Sequence, residues 1–294
     1  MNGCDPPLVS IVTPAYNSAR YLETLLRSVE AQDYPRIEHI VIDDGSNDDG
    51  ATIALLGRHP RVRWWSRKNK GQYATLNEGF QAATGEFITT ISSDDIYADT
   101  SAVSAMADFL AEHPECDVVH GYTLHIDERG MPLPAQPYQN YPYWMLQYNL
   151  GFIFHCSLLV RRRKLIADGM LFDASLRYTG DGDWMARVYQ AGYRFRRIRR
   201  YVGAYRHHDL QMSTTASIDA DAAAYRRQER AAIDQKHARS RTIKRFVDAY
   251  VTWQERRCKA VAAWRRGGAA GLATAVGEWS RRERRDRQTF RRMG

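Results

Sequence analysis

VSIVTPAYNSARYLETLLRSVEAQDYPRIEHIVIDDGSNDDG, residues 9–50, decides the fold. The apolar, β-branched run at 8–13 stops at Pro14 and reads as a buried strand. Across 18–32 the apolar residues Tyr21, Leu22, Leu25, Leu26 and Val29 recur at helical spacing, with Ser18 placed as N-cap and Pro35 just past the end. A second strand at 39–42 is closed abruptly by Asp43-Asp44-Gly45-Ser46. Strand, helix and strand joined by short connections form one unit of a parallel α/β sheet.

The rhythm continues outward. A helix at 48–57, a strand at 62–65, a helix at 73–83 stopped by Gly85 and a strand at 87–91 complete a βαβαβαβ order. This predicts a mostly parallel sheet flanked by helices. In such sheets ligands sit beyond the carboxyl ends of the strands. Polar clusters follow three of them, at Tyr16-Asn17, at Asp43-Asp44 and from Ser92 to Asp95, and so belong to one composite site. A helix to about residue 113 and a strand at 117–120 come next. The stretch 127–150 then breaks the rhythm, with Pro132, Pro134, Pro137 and Pro142 among Tyr138, Tyr141, Tyr143, Trp144 and Tyr148. Such a loop is a platform of aromatic faces for a ligand or a lid. A strand at 152–160, a helix at 183–192 and a strand at 194–205 follow. Beyond 218 the chain is helical, and Ile243, Phe246, Val247, Tyr250 and Val251 repeat at helical spacing before Gly267-Gly268.

Charge divides the 294 residues. From Tyr225 onward there are 20 Lys and Arg against 7 Asp and Glu, while the first 224 residues hold 22 and 27. The predicted organisation is therefore a domain at 1–217, with halves at about 8–120 and 121–217. A basic helical C-terminal extension follows at 218–294. The extension packs its helix on the body with a solvated basic end, or docks on anionic lipid headgroups. Nucleic acid is not expected as a partner, because no recognition fold accompanies the charge. The most apolar stretch, at 150–160, is short and carries His155, so no spanning helix is expected. The first seven residues lack secretory-signal character, and Cys4, Cys116, Cys156 and Cys258 lie far apart as reduced thiols. The expected location is cytoplasmic, with peripheral contact at the inner face of the plasma membrane.

Ser93-Asp94-Asp95, directly after FITTIS, puts adjacent carboxylates at a strand's carboxyl end. Two like charges there are costly unless a cation accompanies them, although Asp pairs also cap helices. Hard cations want carboxylate oxygens and serve as Lewis acids toward anionic groups. Deprotonating an acceptor hydroxyl needs a further carboxylate or His.

Residues 9–50 resemble the opening of the family 2 inverting glycosyltransferases. Lys70-Gly71-Gln72, Asn77 to Phe80 and Ala83-Thr84-Gly85-Glu86 continue that pattern into Ser92 to Tyr97. The resemblance is close over about 8–120 and looser over 150–212. It implies a GT-A-type fold and inverting transfer of one sugar from a nucleoside-diphosphate sugar to a hydroxyl acceptor on a glycan or lipid-linked molecule. It also implies Mn2+ or Mg2+ as cofactor and a role in bacterial surface-glycan assembly.

Residue by residue, the resemblance places Tyr16 against the base and Asp44 hydrogen-bonded to it. Lys70, Gln72 and Asp95 fall near the nucleotide sugar, and Asp94 and His208 at the metal, with His207 as the reserve. Ser92 departs from the family, since many members carry an aspartate there. Thr179-Gly180-Asp181-Gly182-Asp183-Trp184 is similar to the family's acidic motif and points to Asp181 as general base. Asp183 fits a helix N-cap, and is the base if the alignment is shifted by two. His155 and Trp184 are assigned to the acceptor pocket. A sugar nucleotidyltransferase would need a glycine-rich basic loop after the first strand, which Pro14-Ala15-Tyr16-Asn17 does not offer. The remaining alternative is a catalytically inactive nucleotide-sugar-binding partner in a polysaccharide assembly complex.

Overall fold

The computed structural model describes residues 5–133, 141–148, 153–212, 219–237 and most of 240–268. The alternating order is realised as β1 (Val9–Ala15), α1 (Ala19–Glu30), β2 (Ile37–Asp43), α2 (Ala51–Leu56), β3 (Arg63–Ser66), α3 (Gln72–Ala82) and β4 (Phe87–Thr90). After it come β5 (Ile96–Tyr97), α4 (Ala102–Glu112), β6 (Val118–Ile126), β7 (Leu158–Arg161), α5 (Arg162–Ala167), α6 (Gly180–Gln190), β8 (Phe195–Arg206) and α7 (Ala220–His237). Short 3-10 turns occupy Tyr143–Tyr148 and His155–Ser157.

Eight strands form one sheet in the order β3-β2-β1-β4-β7-β6-β8-β5. The pairs β1–β2, β1–β4, β2–β3 and β6–β8 are parallel, as the alternation predicts. β7 runs antiparallel to both neighbours, and β5 runs antiparallel to β8. The β1–β2 register sets Ala15 opposite Asp43. The chain segments after both strands therefore leave the sheet at one level, which is where the site forms.

β1 contributes Val9, Ile11 and Val12, all fully buried, and α1 covers one sheet face through Leu22, Leu25, Leu26 and Val29. Each such side chain contributes about 1.5–3 kcal/mol by burial. On the other face α3 lies so close that a Cβ on Gly79 would sit 2.3 Å from Val12 Cγ1. Only glycine permits that approach.

Three expected boundaries shift. The strand expected at 152–160 is confined to Leu158–Arg161, preceded by the turn at His155–Ser157. The helix expected from 183 begins at Gly180, with Thr179 as N-cap, so Asp183 lies inside the helix and does not cap it. The short α5 was not foreseen. Parts of the aromatic loop, at 134–140 and 149–150, lie outside the described residues. Within it, Tyr141, Met145, Leu146 and Tyr148 are buried, whereas Trp144 is 42% exposed.

The chain divides into two compact units, residues 1–133 with 141–239, and residues 134–140 with 240–294. α7 belongs to the first. The second contains helical residues 241–254, in which Val247 is buried while Ile243, Phe246, Tyr250 and Trp253 are exposed. Among the described residues no helix is long and apolar enough to cross a membrane.

Candidate active site

The loops after β1, β2, β3 and β4 meet at the carboxyl edge of the sheet. Asp44, directly after β2, is 4% exposed and is a hub for the loop that follows β3. Its Oδ1 accepts the Lys70 N–H at 2.8 Å and its Oδ2 the Gly71 N–H at 2.9 Å. The Arg67 guanidinium donates to the same carboxylate and reaches Glu78 Oε2 at 2.9 Å and Thr75 Oγ1 at 2.8 Å. Gly45 lets the loops touch. It holds φ +76°, and a Cβ there would meet Arg67 O and Asn69 N at 2.9 Å.

The site residues expected near a nucleotide surround this hub. Tyr16 is 48% exposed, so its ring offers an open face. Asn17, at φ 50°, gives its side-chain N–H to Asn47 Oδ1 at 2.7 Å and accepts the Asn47 N–H at 2.9 Å, fastening the first loop to the second. The Lys70 ammonium is exposed, 3.7 Å from Glu78 Oε2. Gln72 is half-buried and opens α3.

The loop after β4 brings the acidic pair to the same edge. Asp94 Oδ2 lies 2.9 Å from His208 Nε2. Ser93 Oγ lies 2.8 Å from Ser18 Oγ, tying this loop to that of Tyr16. Asp95 is buried and points inward, its Oδ1 accepting the Arg206 N–H at 2.9 Å. Burial, with the neighbouring Asp94 charge, pushes Asp95 well above the usual carboxylate range. Asp95 is therefore turned into the protein to brace the loop, whereas its expected place was beside the nucleotide sugar. Arg206, which composition alone would not single out, is 3% exposed. Its Nε donates to Asp94 O at 2.8 Å and its guanidinium stacks 4.9 Å from the Tyr21 ring, which itself packs on His208.

A carboxylate oxygen and an imidazole nitrogen converging at 2.9 Å fit a divalent cation whose other ligands are diphosphate oxygens. Among the described residues no group of three His, Cys, Asp or Glu gathers to hold an ion alone. His207 turns away from this pair, its Nε2 lying 2.7 Å from His125 Nδ1. Burial, then the charge of His208, lowers the His207 pKa.

Asp181 and Asp183 separate sharply. Asp181 is exposed in the first turn of α6, its main-chain N–H reaching the Tyr73 hydroxyl at 3.3 Å and its Oδ1 accepting the Gly182 N–H at 2.8 Å. Tyr73 follows Gln72 directly, so Asp181 adjoins the segment that Asp44 holds. Gly180 makes this possible, because a Cβ there would meet the Tyr73 ring at 2.6 Å. Asp183 is fully buried. Arg187 Nε donates to it at 2.7 Å, Lys236 Nζ at 2.8 Å, and His237 Nε2 lies 2.8 Å away. Burial alone would raise its pKa, but these hydrogen bonds more than offset that and hold it far below the usual range. All three donors to this anion come from the protein itself.

Trp184 is 1% exposed and donates its indole N–H to Met170 O at 2.7 Å. This corrects the expectation that it lines the acceptor pocket: it is a core side chain stacked on Phe172. His155 packs against both Phe172 and Trp184, and its Nδ1 is buried without a partner. Burial lowers its pKa, against the opposing charge of Asp181. Asn77, quoted above only within a motif, exchanges two hydrogen bonds with the Phe172 main chain at 2.8 and 2.9 Å, fixing this wall to α3.

The model of the family described as "Glycosyl transferase family 2" matches residues 10–169. An uncharacterized glycosyltransferase of Rickettsia typhi is 35% identical over 185 residues, covering 60% of this chain and 57% of that one. Another, of Rickettsia conorii, is 33% identical over 192 residues, covering 62% and 31%. The chain thus spans between about a third and somewhat over half of these relatives. Staphylococcus aureus TarS 1–349 in complex with UDP-GlcNAc superposes with a TM-score of 0.62 at 19% identity, over 92% of this chain and 80% of that one. The mannosyltransferase PcManGT of Pyrobaculum calidifontis, in complex with GDP-Man and Mn2+, gives 0.60 at 18% identity, over 93% and 79%. The sheet order and flanking helices are those of the GT-A fold, and the chain belongs to glycosyl transferase family 2.

Proposed function

We propose that this glycosyltransferase moves one sugar, with inversion, from a nucleoside-diphosphate sugar to a hydroxyl acceptor. The observation that carries the reading is the continuous chain of contacts from Asp44 through Gly71 and Tyr73 to Asp181. It puts an exposed carboxylate beside the loops expected to hold the nucleotide. The Tyr16 ring supports the base, and the Asp44-anchored loop with Lys70 and Gln72 borders the nucleotide. Asp94 and His208 would hold Mn2+ or Mg2+, whose charge would offset that of the departing diphosphate. The solved PcManGT complex, with GDP-Man and Mn2+, supports a divalent cation in this reading.

In the transfer the acceptor oxygen forms its bond to the anomeric carbon. The bond from that carbon to the β-phosphate oxygen breaks, and its electron pair leaves with the nucleoside diphosphate. The acceptor proton passes to Asp181. A single displacement of this kind inverts the anomeric centre. His155 borders the acceptor side.

The acceptor is a glycan or lipid-linked molecule of bacterial surface-glycan assembly, reached at the inner face of the plasma membrane. The exposed residues Ile243, Phe246, Tyr250 and Trp253 support this reading, since 3.6 residues per turn sets them within an arc of about 80°. Aromatic side chains beside Arg and Lys suit the interface of an anionic bilayer. The test is nucleoside diphosphate release from UDP-GlcNAc and GDP-Man with Mn2+, against the Asp94→Ala variant. Donor binding without release in any condition would favour the inactive-partner alternative.

A further inference from the structure

The turn that launches α6 carries Asp181, and its own bonds tie only its first half, where Asp173 accepts the Ser175 N–H at 3.0 Å and the Leu176 N–H at 3.2 Å. Ala174, Ser175 and Arg177 are exposed, and the N-cap Thr179 makes no side-chain bond to its helix. Support for the second half comes from α7, some fifty residues downstream and beyond the part of the chain matched by the family model. Glu229 is 7% exposed, and its carboxylate faces the turn. Oε1 accepts the Arg177 N–H at 2.5 Å, and Oε2 accepts the Tyr178 N–H at 2.9 Å and the Thr179 hydroxyl at 3.0 Å. One turn further along α7, Ile233 is 2% exposed, and Lys236 and His237 close on Asp183 inside α6. From the opposite side the Tyr73 hydroxyl receives the Asp181 N–H.

We infer that Glu229 is a positioning residue for Asp181: α7 straps the base-bearing turn and sets where that carboxylate stands. The inference rests on the reading of Asp181 as base. Three donors on consecutive residues converge on one buried carboxylate, so its removal leaves two main-chain N–H groups and a buried hydroxyl without their acceptor while the turn gains freedom. The acid also sits before the N-terminus of α6, where the helix dipole favours negative charge. Helix packing alone would need only the apolar face around Ile233. A base 1 Å out of place can cost on the order of 10²-fold in rate while ground-state binding is kept.

The experiment compares Glu229→Gln, Ile233→Ala and Asp181→Asn in the full chain. The Glu229→Gln change turns an amide N–H₂ toward a donor, so at least one of the three bonds becomes repulsive. Nucleoside diphosphate release is followed with whichever of UDP-GlcNAc and GDP-Man the wild type turns over. Glu229→Gln is expected to lower kcat tenfold or more with donor KM within twofold. Hydrogen exchange, which needs no substrate, should quicken at 177–181. Ile233→Ala loosens the same helix without touching the turn and should lower Tm with kcat within twofold. Equal kcat losses in the two variants, or wild-type kcat and exchange in Glu229→Gln, overturn the inference. Were Glu229→Gln not to fold, Thr179→Val removes one of the three contacts and should lower kcat severalfold, with wild-type kcat overturning the inference. Full turnover in Asp181→Asn would instead remove the base reading itself, whatever Glu229→Gln does.

Discussion

His208 Nε2 and Asp94 Oδ2 stand 2.9 Å apart although 114 residues separate them in sequence. The segment leaving β8 carries the first and the β4 loop the second, and Arg206 locks them by bonding to both Asp94 O and Asp95 Oδ1. On the proposed reading, this pair would hold the divalent cation beside the diphosphate.

Removal of either ligand therefore should remove metal-dependent turnover. A Lewis-acid contribution of several kcal/mol corresponds to roughly 10²–10³-fold in rate. Asp94→Ala and His208→Ala should each show losses of that order with Mn2+, and EDTA should reproduce them in the wild type. Undiminished activity in EDTA would end the metal reading.

Asp44→Ala should weaken UDP binding and stability together. The carboxylate and the Arg67 guanidinium are both largely buried, with side-chain exposures of 5% and 14%. Breaking one partner of such a pair costs about 3–5 kcal/mol, because a buried charge is left alone. Calorimetric titration with UDP and a melting curve test this. An unchanged Tm would mean that Asp44 does not hold the loop at 67–71.

The Asp183 cluster predicts an acid-sensitive contribution. Its folded pKa lies below the unfolded value of about 3.9. The stability it supplies is therefore fully present above about pH 4 and is lost as pH falls through the depressed folded value. Asp183→Asn should cost about 3–5 kcal/mol at pH 7, since Arg187, Lys236 and His237 lose their shared anion. Urea titrations should show that gap constant from pH 7 to 5 and narrowing below 4. A gap that widens on acidification would contradict the assignment.

Strand and helix periodicity made β1 to β4 legible, because continuous apolar runs separated by amphipathic helices have few other readings. Pairing direction is not written in periodicity, so the antiparallel placement of β7 did not follow from 158–161. The start of α6 was hidden by Gly180 and Gly182, which look like loop residues until Tyr73 is seen packed on Gly180. Asp44 and Asp94 stood out as carboxylates at strand ends. Arg67 and Glu229 did not, because each sits among exposed charges and acquires meaning only from partners 23 and about 50 residues away. Trp184 was misplaced for the converse reason: an aromatic beside an acidic motif suggests a ligand wall, whereas its indole N–H already had a partner.

The exposed stripe of the second unit should bind anionic vesicles. Ile243, Phe246, Tyr250 and Trp253 lie on one side, and Arg257 stacks 5.7 Å from the Trp253 ring. Phosphatidylglycerol liposomes should sediment the intact chain at low salt and release it at high salt. Phe246→Ser with Trp253→Ser should weaken this more than tenfold, equivalent to about 1.4 kcal/mol. Equal sedimentation of the double variant would confine the attraction to charge.

The decisive substitution is Asp181→Asn. Asparagine keeps the size and the hydrogen bond from Gly182 N–H but cannot take a proton. The donor does not contact that proton transfer, so donor affinity should be unchanged. General-base catalysis typically contributes about 10²–10⁴-fold, and the loss should fall on kcat. Asp183→Asn is the complementary measurement. Its carboxylate is enclosed by Arg187, Lys236 and His237, so the substitution should lower Tm far more than it lowers kcat in the folded fraction. A well-folded Asp183→Asn enzyme without turnover, beside an active Asp181→Asn, would transfer the base to Asp183. That outcome would require α7 to release Lys236 and His237 during the reaction, which hydrogen exchange across 229–237 would register as an opening of the strap.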